Sequence, residues 1–162
     1  VTTTLITDEM LSLVGRELGR RVSHAVAPSD IRRWAIAVYW PEPPPARFVA
    51  PSTPLIASED FNPFAWSVAW SSHPPTASLT DGMESALGIA GPSLPHILNG
   101  GMQTEYGAPI RAGDTITSLN VLAEYRERVG QHGSMLFTVT EDTWTNQHDQ
   151  HVKTHRVTTI RY

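Results

Sequence analysis

The chain has 162 residues, enough for one domain that buries about two-thirds of its unfolded surface. Twelve Lys and Arg against sixteen Asp and Glu leave a net charge of -4 with no basic block, which argues against a nucleic-acid footprint. Cysteine is absent, which excludes disulfides, thiolate zinc sites and cysteine nucleophiles, and no window approaches the ~18 apolar residues of a membrane span.

Residues 1–12 read as a lead-in, helical at "DEMLSLVG". The opening "VTTTLITDEMLSLVG" lacks the basic-then-apolar order of a signal peptide, so the cytoplasm is the expected compartment. Residues 19–27, "GRRVSHAVA", alternate polar and apolar side chains and predict a strand. Pro28-Ser29-Asp30 then starts a helix, with Ser29 or Asp30 as N-cap. Ile31, Trp34, Ala35 and Val38 give that helix one apolar face. It stops at "VYWPEPPPARF", where Pro41, Pro43, Pro44 and Pro45 impose a stiff loop. Pro51, Pro54 and Pro63 break the next apolar stretches, and a short helix is expected from Pro63 to Trp70. Residues 71–95 read as a long irregular connection with one helical turn.

The last third is four β-rich runs separated by "RAGD", "GQHG" and "QHDQ", which predicts an antiparallel meander. The run at 115–129 is long enough to need a bulge or strong coiling. Helices followed by a meander make the class α+β, in a single domain over 1–162 without internal repeats.

Within these runs, Gly113 of "RAGDT" suits a positive-φ turn position and Asp114 a turn cap. Asn99-Gly100-Gly101 marks either a bulge or a close approach by another backbone or a ligand. His151 and His155 share a strand face about 13 Å apart, too far to hold one metal, so His148, His151 and His155 read as solvated. Phe61, Phe64, Trp66 and Trp70 form either core packing or the wall of a pocket for a bulky apolar group. Arg32, Arg33, Arg47 and Arg111 are surface charges, intramolecular partners or phosphate contacts.

In order along the chain, Pro109, Arg111, Gly113, Asp114, Thr115, Gly130, Gly133, Glu141, Asn146, Gln147 and Thr159 match a pattern that resembles the MaoC-like hot-dog dehydratases and hydratases. "VGRELG", "IRRWAIAV" and "FVAPS" sit in the same family order upstream, so the resemblance covers residues 13–162 and is weakest over 53–95. It implies a single hot-dog fold, an antiparallel sheet wrapped around a central helix. Catalytic halves of this family carry a "G-D-x-N-P-x-H" loop after the short helix, whose Asp and His move protons between water and an enoyl thioester. In this chain the Asp position holds Trp40, the Asn position Glu42 and the His position Pro45. Neither Trp nor Pro can act as a base.

The resemblance therefore implies the non-catalytic N-terminal-type half, similar to the inert subunit of heteromeric enoyl-CoA hydratases that act on steroid side chains. Such a subunit shapes the acyl-CoA pocket, while a catalytic MaoC-like partner, in a heterodimer or heterotetramer, supplies Asp and His. The implied substrate-binding residues are Tyr39, Trp40, Phe61, Phe64, Trp66, Asn99, Gly100, Gly101 and Arg111. No catalytic residue, metal or cofactor is expected in this chain, and the coenzyme A thioester enters as substrate. Two alternatives stand beside it. One is a stand-alone hot-dog acyl-CoA thioesterase using Glu59 or Asp60 to activate water, and the other is a purely structural partner subunit.

Overall fold

Four strands arise from the β-rich last third and a fifth from the N-terminal third. The computed structural model describes residues 4–51, 55–66, 80–130 and 133–162. The elements are α1 (Asp8–Ser12), β1 (Glu17–Val22), α2 (Pro28–Tyr39), α3 (Ala46–Val49), α4 (Gly82–Ala86), β2 (Ile97–Tyr106), β3 (Thr117–Gly130), β4 (Gly133–Thr145) and β5 (His151–Arg161). The five strands form one antiparallel sheet in the order β1-β3-β4-β5-β2.

That order corrects the four-run meander. Only β3-β4-β5 follow one another, and β2 lies on the far side of β5. "RAGD" closes no hairpin between β2 and β3. The Gly113 amide donates to the Val26 carbonyl at 2.8 Å and the Val26 amide to the Asp114 carbonyl at 2.9 Å, which ties the turn to the segment after β1. β1 thereby occupies the edge of β3 that a meander would have given to β2. The expected bulges are present. β3 shifts register between Leu122 and Glu124, and β2 between Asn99 and Gly101.

α2 begins one residue before the expected caps. Pro28 stands in the first turn, where its missing N–H costs nothing, and Ala27 is an N-cap without a side-chain hydrogen bond. Ile31 and Ala35 are buried and Trp34 packs beside them, while Val38 at the far end is 48% exposed. This face meets Leu55, Phe61, Phe64, Ile116, Trp144 and Val152 in the larger core cluster. A smaller cluster of Met10, Leu13, Leu122, Tyr125 and Leu136 closes the opposite end of the sheet.

The expected helix from Pro63 to Trp70 is a turn and one short 3-10 turn through Trp66, and residues 67–70 lie outside the described residues. So do 71–79 of the long connection and Gln131–His132 of the "GQHG" turn. From residue 80 onward the connection holds the single short helix α4. Among the described residues no helix is long and apolar enough to cross a membrane.

Candidate functional site

The loop after α2 is held at both ends. The Glu42 amide donates to the Tyr39 carbonyl at 2.8 Å, and the Phe48 amide to the Pro45 carbonyl at 3.0 Å. Arg32 reaches from α2 to the Val49 and Ala50 carbonyls at 3.3 and 3.0 Å, so this cation is spent on the backbone. Tyr39 lies half-buried with its ring 6.1 Å from that of Phe48, which also meets the Arg47 guanidinium at 4.7 Å. Trp40 projects outward, 78% exposed, and Glu42 is exposed as well. Proton transfer to a held water needs two polar groups converging on it. Within residues 40–45 only Glu42 can titrate, and it points into solvent.

Beside α2 lies a cavity of about 290 Å³, lined by Trp34, Phe61, Trp66, His24, Asp30 and Arg33 among others. Phe61 is buried and meets Trp34 edge to face at 5.7 Å. Trp66 is 55% exposed. Phe64 instead turns into the core, edge to face with Trp144 at 5.1 Å and beneath the Arg21 guanidinium at 4.6 Å. Of the nine residues singled out from the sequence, only Phe61 and Trp66 line this cavity.

The others are dispersed. In β2 the Asn99 side chain accepts from the Gly101 amide at 2.9 Å and shapes the bulge, where Gly101 has φ 122°. A Cβ at Gly100 would come within 2.7 Å of Ile160, so the neighbouring strand explains that glycine. Arg111 forms an isolated bridge with Ile56, and its amide donates to Asp114 at 2.7 Å. Gln147 donates to the other Asp114 oxygen at 2.9 Å and accepts from the Thr115 amide at 3.0 Å. The "RAGDT" and "NQ" motifs thus hold each other.

The sequence reading missed a polar strip on the helix-facing side of the sheet. Strand alternation and the contact between Trp144 and His155, whose rings are 6.2 Å apart, put Thr138, Thr140, Asp142, Lys153, His155 and Arg161 on one face. Ser118 donates to Asp142 at 2.6 Å and Arg21 pairs with it at 3.2 Å. His155 and Thr104 are hydrogen-bonded at 2.8 Å. Burial, then the Lys153 charge, holds the imidazole below its ordinary pKa against the opposing Asp142. Lys153 is buried, donates to the Glu59 carbonyl at 2.7 Å and sits 4.5 Å from the centre of the Trp144 ring. Its pKa is lowered by burial, with Asp60 and Glu59 working in opposition. Glu59 and Asp60 themselves are exposed in a turn.

At the end of the strip Arg161 bonds Glu84 at 2.7 and 2.9 Å, Asp81 at 3.1 Å and Thr138 at 2.9 Å, and Tyr125 donates to Glu84 at 2.6 Å. Burial pushes Glu84 up, yet the Arg161 and Tyr125 hydrogen bonds outweigh it and keep the carboxyl below its usual range. The Tyr125 phenol is driven up by burial and by that same carboxylate. The signal available in the sequence was the polar alternation of 151–161, but which face points inward is not written in it. No cluster of metal-ligating side chains occurs among the described residues. His151 bonds Thr154 at 2.8 Å.

The family described as FAS1-like, dehydratase domain region, matches residues 12–155. No curated protein matches the sequence. Among solved structures, the ChsH1-ChsH2 complex from Mycobacterium tuberculosis is similar with a TM-score of 0.58 at 12% identity, covering 91% of this chain and 84% of that one. A MaoC-like dehydratase is similar at 0.59 and 18%, covering 93% of this chain and 42% of that one. The R-hydratase PhaJ1 from Pseudomonas aeruginosa is similar at 0.51 and 14%, covering 91% and 81%. At these identities the likeness is one of fold, and the fold is the hot-dog.

Proposed function

The chain belongs to the family of FAS1-like dehydratase domain regions, and we propose that within this hydratase and dehydratase family it is a non-catalytic subunit that shapes an acyl-CoA pocket. The substrate is a bulky 2-enoyl-CoA, such as one bearing a steroid side chain, and a partner hot-dog subunit supplies the Asp and His that add water. The observation that carries this reading is the loop at 40–45. Its prolines fix the backbone, Trp40 and Glu42 are exposed, and residues 40–45 hold no acid or base besides Glu42.

Three further features support it. The cavity beside α2 has the aromatic lining that an apolar acyl group needs. β2 has no strand partner on its outer edge among the described residues, and Ile97, Leu98, Met102 and Tyr106 are exposed along it. A ten-residue edge with exposed apolar side chains is a surface that proteins normally cover. One of the similar folds was solved as a complex of two chains. In this reading Arg33, which lines the cavity, meets the polar end of the thioester.

The thioesterase alternative asks for a carboxylate positioned on a held water, and Glu59 and Asp60 are exposed in a turn instead. Reconstitution tests the proposal. The purified chain is incubated with a trans-2-enoyl-CoA alone, and again with the hot-dog chain that co-purifies with it. Turnover is expected only in the mixture. Turnover by the lone chain, or free thiol released without hydration, would sink the reading.

A further inference from the structure

A second cavity lies at the opposite end of the sheet, between α4 and the helix-facing side of β4, β5 and β2. Its volume is about 170 Å³, and its lining includes Thr138, Thr140, Thr159, Arg161, Met83 and Ile97. A dry cavity of about 150 Å³ walled by aliphatic side chains accommodates one benzene. This one is close to that size, but its walls are of mixed chemistry.

The charged groups at its edge already face one another, the single Arg161 guanidinium against the carboxylates of Glu84 and Asp81. Arg161, 2% exposed, bonds Glu84, Asp81, Thr138 and the Thr80 carbonyl through its two terminal nitrogens, while its buried Nε has no hydrogen-bond partner among the described residues. Glu84, wholly buried, is saturated by Arg161 and Tyr125. An anion entering here would meet two carboxylates against one guanidinium, and an ion of either sign would forfeit its hydration, so the chemistry favours a neutral guest.

The hydroxyls are different. Thr138 accepts from Arg161, which leaves its own O–H to donate. Thr140 and Thr159 are half-buried and make no side-chain hydrogen bond among the described residues. Met83 and Ile97 supply apolar wall. The buried ion pairs pin α4 to β5, so the cavity is formed before anything enters it.

We propose that this cavity is a binding site for a neutral, ring-sized group bearing a carbonyl or hydroxyl oxygen, recognised by the threonine hydroxyls of β4 and β5. It is separate from the aromatic cavity beside α2, and it does not depend on the acyl-CoA reading.

Cyclohexanone and benzene serve as probes, titrated into the intact chain with the methyl resonances of Thr and Met followed by NMR. Cyclohexanone is expected to shift Thr138, Thr140, Thr159 and Met83 saturably, and to bind about tenfold more tightly than benzene. Thr140→Val and Thr159→Val should each reduce that preference and together reduce it further, to what the Thr138 hydroxyl alone sustains, while benzene still binds. Their thermal melts, run alongside, establish that each variant is folded. Three results would overturn the assignment: no saturable shift in the wild-type chain, shifts confined to residues around Trp34, or a ketone preference unchanged in a folded Thr140→Val, Thr159→Val chain.

Discussion

The Arg161–Glu84 pair carries a cost that its deletion exposes. Taking two charges out of water is expensive, and the attraction between them repays it only while both are present. Arg161→Met leaves the Glu84 carboxylate buried beside Asp81, and a loss of about 3–5 kcal/mol in urea unfolding is expected. Adding Glu84→Met to that variant should recover much of the loss. If the double variant is as unstable as the sum of the singles, the pair is not the unit. His155 gives a pH test. Its folded pKa is depressed, so its contribution is fully present above the unfolded value near 6.5 and is lost as pH falls through the folded pKa. The melting temperature should therefore drop from about pH 7.5 to about pH 5.5, and His155→Gln should flatten that drop. An unchanged slope would place the acid sensitivity elsewhere.

At the scale of elements, the proline loop is rigid without being buried. Trp40 is 78% exposed, so Trp40→Ala should change the stability of the lone chain by no more than about 0.5 kcal/mol. Its effect is expected only in the assembled hydratase, as a raised KM for the enoyl-CoA. A large loss of stability in the lone chain would mean that the ring packs against the chain itself. Installing the missing pair with Trp40→Asp and Pro45→His should still give no turnover by the lone chain. Pro43 and Pro44 hold the backbone, and an exposed Asp keeps ordinary carboxylate behaviour rather than the raised pKa of a buried acid. Turnover by that variant would refute the rigidity argument.

At the scale of the whole molecule, the proposed assembly would use the exposed edge of β2. Ile97→Lys with Met102→Lys puts two charges on an exposed strand and should leave the lone chain folded. Co-elution with the hot-dog partner in size-exclusion chromatography is expected to be lost, and persistence of the complex would move the interface off this edge. Much of the architecture was legible beforehand because it is written in local pattern. Apolar spacing from Ile31 to Ala35 marked α2, the β-rich runs marked the strands of the last third, and the prolines at 41–45 announced the loop that ends α2. At 115–129 and at Asn99-Gly101 a bulge was one of two open readings, and the strand register settles both in its favour. What local pattern could not decide was which strands adjoin and which faces look inward, since both rest on contacts between residues far apart in the chain. The place of β2 beside β5 depended on β1 taking the edge of β3, and the Arg161–Glu84 lock joins residues 77 positions apart. By itself the sequence determined the helix, the strands and the proline-stiffened loop, because propensity and side-chain chemistry are local. Tertiary structure alone decided the strand order, the inward-facing polar strip and the two cavities, because burial belongs to the packed chain and to no residue alone.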